Sequence, residues 1–490
     1  MNFNSLTFLI FFPPVFLLYC ILPKKLRPAL LLIASYFFYM SWNAKLVYLI
    51  LGTTAVSYAA GAVIEKFRAK KALSVFCLAA AFAASLGALF FFKYYNFFIG
   101  SINSITSLFD GKQFSPLDLI LPVGISFYTF QTLSYVVDVF RGDIRAERNF
   151  FYYALFVSFF PQLVAGPIER PSNLLPQLRK AKRPTPDDVV DGLKMMAIGF
   201  FKKIVLADGV SSIVNAVYNS PEGKSGPAIA VATLLFSVQI YGDFSGYTDI
   251  AIGASRMLGI RLMKNFDRPY ASESVKEFWS RWHISLSTWF RDYLYIPLGG
   301  NRKGKARKLL NVFIVFLVSG IWHGAAWTFV IWGVLHGFYR LVEELFAKQL
   351  KPFMTKDKAG YHLLRRIITF TLVSFAWIFF RANSVSDLGI LLGSLLHGWS
   401  PGEIASSLSS VGLNVLSVIR IILCVVLLSF IHNVMPDNSL KSDGAETAGV
   451  RKTSVGAGAI TFVILVSCIA LAWLMLLEHH ELSSFIYFQF

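Results

Sequence analysis

Charged residues are scarce in this sequence. Asp, Glu, Lys and Arg make up only 15% of its 490 residues, whereas hydrophobic residues make up 55% and the mean hydropathy is +0.58. A soluble globule of this length needs more polar side chains than that to cover its surface. The composition therefore excludes a soluble protein and predicts a chain that crosses a lipid bilayer several times.

Acidic residues are fewer still, at 28 Asp and Glu against 46 Lys and Arg, and the net charge is +18. The basic residues cluster in short loops between apolar runs, which is typical of the cytoplasmic side of a membrane protein and argues against nucleic-acid binding. The loops predicted to be cytoplasmic are 24–27, 65–71, 141–148, 169–184, 301–308, 351–358 and 451–452.

Signatures of soluble enzymes are missing. There is no G-x-S-x-G elbow, no phosphate-binding G-x-x-x-x-G-K-[ST] loop and no H-E-x-x-H, which excludes common serine hydrolases, ATPases and metalloproteases. The four cysteines, Cys20, Cys77, Cys424 and Cys468, lie in apolar segments without C-x-x-C spacing. We therefore expect neither a disulfide framework nor a metal site, and no bound cofactor.

Apolar segments follow one another along almost the whole chain, and no internal repeat interrupts them. They predict an all-α polytopic membrane protein with about ten to twelve crossings, built as a single domain over 1–490. The segment 150–168 contains Pro161 and Gly166, a composition typical of a re-entrant piece buried in protein. The segments are 6–22, 28–42, 46–64, 72–92, 117–138, 150–168, 192–214, 228–252, 309–330, 331–346, 367–380, 413–433 and 456–477.

The stretch 274–293 predicts one amphipathic helix. Ser274 followed by Glu277 is a typical N-terminal capping pattern. On this helix His283 occupies the edge of the apolar face, where a side chain contacts both the core and a polar cavity. The apolar face consists of Val275, Phe278, Trp279, Trp282, Leu286, Trp289, Phe290 and Tyr293.

The next apolar run, 309–330, is long enough to cross a bilayer and contains His323 near its far end. An ionisable residue inside a span is costly, which makes His323 a functional candidate. Gly320 and Gly324 allow a neighbouring backbone or a ligand to approach closely. His336 would point about 140° away from His323 on a continuous helix, so we interpret it as a packing residue.

Polar residues also interrupt the run 239–249, where Asp243, Ser245 and Asp249 stand among apolar residues. They indicate either a hydrated pocket or structural hydrogen-bond hubs, and the sequence leaves both readings open. Asp243 and Ser245 are therefore candidate binding residues.

Several long motifs resemble the membrane-bound O-acyltransferase superfamily, and within it the alginate O-acetyltransferase type. They occur in the family's order and span nearly the whole chain. The motifs are FPQLVAGPIER (160–170), YGDFSGYTDIAIG (241–253), FWSRWHISLSTWFRDYLYIPLGGNR (278–302), VSGIWHGAAWTFVIWGVLHG (318–337), FAWIFFRA (375–382) and FIYFQF (485–490).

The resemblance implies that His323 is the family's essential histidine and His283 its second characteristic histidine. It implies a ring of tilted helices, a bacterial inner-membrane location, an acyl thioester such as acetyl-CoA as donor, and a polysaccharide acceptor reached directly or through a periplasmic or secreted partner. A neutral imidazole suits the removal of a hydroxyl proton, and an acyl-imidazole is the alternative route. A membrane carrier or export channel is the rival function.

Further candidates for donor binding follow from this chemistry. The indole N–H groups of Trp279, Trp322 and Trp327 either donate hydrogen bonds or pack. Arg291 and the nearby basic cluster either attract the phosphates of coenzyme A or set the topology. That cluster consists of Arg302, Lys303, Lys305, Arg307 and Lys308.

Overall fold

The computed structural model describes residues 1–164 and 166–434, and every regular element in these residues is helical. The predicted segment 456–477, the loop 451–452, Cys468 and the motif 485–490 lie outside them. The chain divides into two compact units. The first comprises Met1–Leu193 and Ala251–Met263, and the second comprises Lys194–Ile250 and the described part of Lys264–Phe490.

The helices of the first half are α1 (Leu6–Ile21), α2 (Arg27–Met40), α3 (Val47–Lys66), α4 (Lys71–Leu89), α5 (Tyr95–Thr106), α6 (Ile125–Arg141), α7 (Phe150–Ser158), α8 (Phe160–Leu163), α9 (Pro171–Lys180) and α10 (Pro186–Phe200). The predicted segment 117–138 starts too early, because the chain around Pro122 and Gly124 is not helical and α6 begins only at Ile125. Gly124 has a φ of 75°, which glycine adopts readily.

The remaining helices are α11 (Gly209–Tyr218), α12 (Gly226–Met257), α13 (Val275–Arg281), α14 (Ile284–Phe290), α15 (Gly304–His323), α16 (Trp327–Leu345), α17 (Ala347–Met354), α18 (Ala359–Arg381), α19 (Val385–Ser394), α20 (Pro401–Ser410) and α21 (Val415–Val434). The described part of the chain also contains three π-helical segments, at Phe90–Tyr94, Phe201–Asp208 and Arg291–Tyr295.

Among the described residues, five helical stretches are long and apolar enough to cross a membrane: Ala44–Lys66, Lys71–Phe109, Gly226–Met257, Gly304–His323 and Ala359–Arg381. Four shorter apolar helices accompany them, at Leu6–Ile21, Arg27–Met40, Val385–Ser394 and Ser417–Ser429. The all-α polytopic membrane fold is thus confirmed, while the total of ten to twelve crossings stays a prediction.

In the first unit, α7 and α8 form the short buried segment that the proline and glycine pattern predicted. Phe159 leaves the helical conformation between them, so this stretch is two short pieces and no single crossing helix. Two of its polar groups are paired inside the protein: Gln162 donates to the Phe156 carbonyl at 2.9 Å, and the Phe160 amide donates to Ser35 Oγ at 3.1 Å. Such pairing is what buried irregular backbone requires.

In the second unit, α15 and α16 form an antiparallel hairpin against which α13 and α18 pack. The helices meet at glycines: a Cβ on Gly320 would lie 3.1 Å from the Gly333 Cα, a distance at which one of the backbones would have to move. The predicted close approach at Gly320 is therefore confirmed. This contact fixes the position of the hairpin's connection, which carries His323.

Candidate functional site

His323 is the last residue of α15, and its side chain is only 3% exposed. Gly324 takes an extended conformation, and α16 begins at Trp327. The prediction of a continuous apolar span over 309–330 is therefore wrong, because the helix ends at the histidine. His323 consequently lies at a helix C-terminus, where backbone carbonyls lack intrahelical partners.

Aromatic rings surround the His323 imidazole. The ring centroid of Trp322 lies 5.0 Å away, that of Trp332 on α16 lies 4.9 Å away, and that of Phe380 on α18 lies 5.5 Å away. All three contacts are edge-to-face, the arrangement that aromatic rings prefer. Three different segments thus hold one imidazole in a largely apolar enclosure.

The predicted amphipathic helix over 274–293 is broken in the structure. Ser274 caps its first part as expected, with the Glu277 amide donating to Ser274 Oγ at 3.1 Å, but α13 ends at Arg281. His283 has φ 45° and ψ 54°, the left-handed region, and α14 starts after it. His283 is 0% exposed, so the predicted boundary position is wrong.

At the break, Asn265 from outside the segment replaces the missing helical hydrogen bonds. The Ile284 amide donates to the Asn265 carbonyl at 2.9 Å, and the Ser285 amide donates to Asn265 Oδ1 at 3.3 Å. Ser285 Oγ donates to the same oxygen at 2.9 Å. A left-handed non-glycine residue costs about 1–3 kcal/mol and persists only where the surroundings enforce it.

Asn265 also fixes the tautomer of His283. Its Oδ1 lies 3.1 Å from His283 Nδ1, and because the same atom receives a backbone N–H it must be the carbonyl oxygen of the amide. His283 therefore carries a proton on Nδ1, and in the neutral ring Nε2 holds the lone pair. Burial lowers the pKa of His283 to about 3, so the ring is neutral at ordinary pH.

The two histidines meet at Trp322. Its ring centroid lies 6.1 Å from that of His283 and 5.0 Å from that of His323, although the histidines are forty residues apart in sequence. Trp322 is itself buried. One buried site therefore contains two imidazoles, the side-chain group most often used for general acid–base catalysis.

Trp279, a predicted donor-binding residue, contacts a different histidine. Its indole N–H donates to His336 Nδ1 at 3.2 Å, and both side chains are buried. Trp332 lies between His336 and His323, with ring centroids 4.9 Å from each. The 140° separation calculated for a continuous helix does not apply, because the two histidines lie on opposite arms of the hairpin.

Asp243 is occupied by an ion pair. Lys203 Nζ lies 2.7 Å from Asp243 Oδ1 and 2.9 Å from Asp208 Oδ1, and Lys202 Nζ lies 2.6 Å from Asp249 Oδ2. Both lysines belong to the π-helical segment Phe201–Asp208, a type of distortion frequent at functional sites. The pairing favours the structural interpretation of Asp243.

The other predicted binding residues differ in position. Ser245 is buried on α12, one residue after Phe244, whose ring lies 4.7 Å from that of His283. Trp327 is 53% exposed at the start of α16, and Arg291 is 61% exposed and paired with Asp292 at 2.8 Å. The structure therefore buries Ser245 next in sequence to a residue that contacts His283, and leaves Trp327 and Arg291 at the surface.

Sequence reasoning missed Asn265 and Trp332. Asn265 lies eighteen residues before His283 in an irregular segment, so no periodicity connects the two. Trp332 carried a signal, since it stands four residues before His336 and therefore on the same helix face. Within residues 1–164 and 166–434, no group of three or more His, Cys, Asp or Glu side chains is arranged to hold a metal ion.

The structure is thus a polytopic helical membrane protein in which two buried histidines contact one tryptophan. The chain belongs to the membrane-bound O-acyltransferase family, MBOAT, whose family model matches residues 37–384. The protein is accordingly an O-acyltransferase. This confirms the resemblance found in the sequence motifs.

Three individual relatives are similar to this chain over most of its length. The chain is 35% identical to a probable alginate O-acetylase, AlgI, of Pseudomonas putida over 100% of both chains. It is 40% identical to a probable alginate O-acetylase, AlgI, of Pseudomonas aeruginosa over 79% of this chain and 73% of that protein. It is 36% identical to a peptidoglycan O-acetyltransferase of Helicobacter pylori over 81% of this chain and 80% of that protein.

Proposed function

We propose that this protein takes an acetyl group from cytoplasmic acetyl-CoA or another acyl thioester and delivers it to hydroxyl groups of an exported polysaccharide such as alginate. Delivery is direct or passes through a periplasmic acetyltransferase partner. The observation that carries the proposal is the contact of both His283 and His323 with Trp322 inside a buried site. Similarity to alginate O-acetylases and a peptidoglycan O-acetyltransferase supports a polymeric hydroxyl acceptor.

In this mechanism His323 is the general base. It removes the proton of the acceptor hydroxyl while the hydroxyl oxygen attacks the thioester carbonyl carbon. The carbon–sulfur bond then breaks, the ester remains on the acceptor, and the leaving thiolate takes up the proton. His283 presents Nε2 as its proton-accepting nitrogen, because Asn265 keeps the Nδ1 proton in place.

The direction of transfer rests on charge. The basic loops, among them 301–308 immediately before α15, are predicted to be cytoplasmic by the positive-inside rule. A cytoplasmic acyl-CoA would then enter from that side, and the acceptor would be met on the opposite side of a bacterial inner membrane. The location and the partner are part of the proposal.

The test uses cells that lack this protein and export the polymer. They are complemented with wild type, His323→Ala or His397→Ala at matched membrane levels; His397 is exposed and serves as the control histidine. We expect ester-linked acetyl content to collapse in His323→Ala alone, with polymer yield unchanged. A collapse of polymer yield would instead favour an export channel, and normal acetylation would remove His323 from the site.

A further inference from the structure

One face of α16 carries three buried polar side chains at four-residue intervals: Thr328, Trp332 and His336, here called the polar stripe. Residues four apart lie about 40° apart around a helix and about 6 Å apart along it, so the three share one face. Thr328 Oγ1, Trp332 Nε1 and His336 Nε2 have no hydrogen-bond partner among residues 1–164 and 166–434. Buried polar atoms are normally paired, so three in succession require an explanation.

Two of these atoms are hydrogen-bond donors. An indole nitrogen can only donate, so Trp332 Nε1 is a donor. The Trp279 indole also only donates, and it donates to His336 Nδ1, so Nδ1 holds a lone pair. The neutral His336 ring therefore carries its proton on Nε2. The polar stripe thus offers two N–H donors, one helical turn apart.

The donors lie beside the proposed base. The Trp332 ring contacts the rings of both His323 and His336, each at 4.9 Å between centroids. His336 is farther from His323 along α16, towards the basic and acidic residues that follow, such as Arg340 and Glu343. A ligand that enters from this charged end passes His336 before Trp332 and then reaches His323.

The arm of an acyl-CoA matches this order of donors. A pantetheine thioester carries carbonyl acceptors in series: the thioester carbonyl at the reacting end, followed by two amide carbonyls along the arm. During transfer the thioester oxygen gains negative charge as the hydroxyl adds to its carbon, and loses it again when the carbon–sulfur bond breaks. A donor placed in advance at that oxygen stabilises this transient charge.

We propose that the polar stripe is the binding site for the pantetheine arm of the acyl donor. Trp332 Nε1–H donates to the thioester carbonyl oxygen beside His323, and His336 Nε2–H donates to the next carbonyl along the arm. Trp279 is a positioning residue that holds the proton of His336 on Nε2. This inference rests on the proposed acyl transfer. His323 and the polar stripe are all buried, so binding at the stripe requires the site to open and admit the thioester.

The first test measures binding of acetyl-CoA to the purified full chain by calorimetry, in a His323→Ala background that prevents turnover. Adding His336→Phe should weaken binding about tenfold, the value of one hydrogen bond in a buried site. Trp377→Phe is the matched control, because Trp377 is an equally buried tryptophan stacked on Trp332, and its N–H donates elsewhere, to Tyr270 Oη at 3.3 Å. It should bind as the background does.

The second test measures rates in membrane vesicles that retain their own polymer, supplied with labelled acetyl-CoA. Trp332→Phe keeps an aromatic ring but removes the N–H, and should lower kcat about a hundredfold with a smaller change in KM. Trp279→Phe should raise KM a few-fold by releasing the His336 tautomer. Trp377→Phe should leave both constants near wild type, and thermal unfolding of each variant reports whether it folds.

The outcomes separate the two proposals. If acetyl-CoA does not bind to the parent protein, both the proposed acyl donor and the proposed role of the polar stripe are overturned. If acetyl-CoA binds and transfer depends on His323, but Trp332→Phe and His336→Phe change neither, then only the proposed role of the polar stripe is overturned. If Trp332→Phe and Trp377→Phe lower kcat equally, Trp332 acts only through packing, and the proposed role of the polar stripe is again overturned.

Discussion

The two histidines of the site are held in opposite ways. His283 lies where a helix breaks, in a left-handed conformation, and an asparagine accepts hydrogen bonds from its ring and from the residues after it. His323 lies at the end of a long apolar helix, enclosed by three aromatic rings. The ring of Trp322 contacts both histidines.

The difference illustrates two ways in which a membrane protein positions a buried imidazole. Hydrogen bonds to Asn265 determine which nitrogen of His283 carries the proton and where the ring points. Aromatic contacts from three segments surround His323. This difference agrees with the proposed division of roles, in which His283 is oriented by hydrogen bonds and His323 is the base.

The largest expected effect separates the two roles directly. His323→Gln keeps a polar side chain but removes the base, and should lower acetyl transfer at least about a hundredfold. His283→Gln keeps a hydrogen-bonding group and should lower it less, by about tenfold. Labelled acetyl incorporation into polymer, at matched protein levels, measures both. Equal losses, or a larger loss for His283, would break the assignment of the base to His323.

Substitutions of Asn265 test the hydrogen bonds around His283 without changing the aromatic contacts of His323. Asn265→Ala removes the oxygen that accepts from the His283 ring and from the Ser285 amide and hydroxyl, and should cost about 1–3 kcal/mol of unfolding free energy. Asn265→Asp keeps an acceptor but adds a negative charge, which raises the pKa of His283 and should move the acid side of the pH–activity curve to higher pH. Thermal unfolding and activity profiles measure the two effects.

The control is Asn311→Ala in the same unit, where Asn311 Nδ2 donates to the Gly300 carbonyl at 3.0 Å. It should lose stability without moving the pH profile. A profile for Asn265→Asp that coincides with wild type would show that Asn265 does not act on His283.

Gly320→Ala tests the aromatic arrangement without touching His283. The added Cβ would lie 3.1 Å from the Gly333 Cα, so α15 and α16 must separate and His323 must move with them. Overpacking of this kind costs about 1–3 kcal/mol. We expect a lower thermal midpoint and lower activity, whereas Gly389→Ala, with open space around its Cβ, should change neither. An unchanged Gly320→Ala protein would contradict the close packing.

The last expected effect is on the pH dependence of stability. The pKa of His283 is about 3 in the folded protein against an ordinary 6.5, so the unfolded chain binds a proton that the folded chain rejects. Its contribution is complete above pH 6.5 and is lost as the pH falls towards 3, by at most about 1.4 kcal/mol per unit. His283→Gln should therefore show a shallower fall between pH 6.5 and 5 than wild type, and parallel curves would contradict this.

Local patterns predicted the parts of the site that depend on one segment. The Ser274 cap, the close approach at Gly320 and the buried broken segment around Pro161 are confirmed, because each follows from short-range backbone chemistry. The prediction of one continuous helix over 274–293 was wrong because a residue outside the segment decides its structure. Its apolar spacing is helical throughout, but Asn265 supplies hydrogen bonds from outside the segment and permits the break at His283.

The sequence by itself determined that this is an all-helical, polytopic membrane protein of the O-acyltransferase family, and that His323 and His283 are its candidate residues. Hydropathy, loop charge and ordered motifs are properties of the chain that folding does not alter. Only the tertiary structure decided that the histidines meet at Trp322, that Asn265 sets the tautomer of His283, and that Trp332 connects His323 with His336. Those relations depend on which helices pack together, because side-chain contacts between distant segments are fixed by packing and leave no period in the sequence.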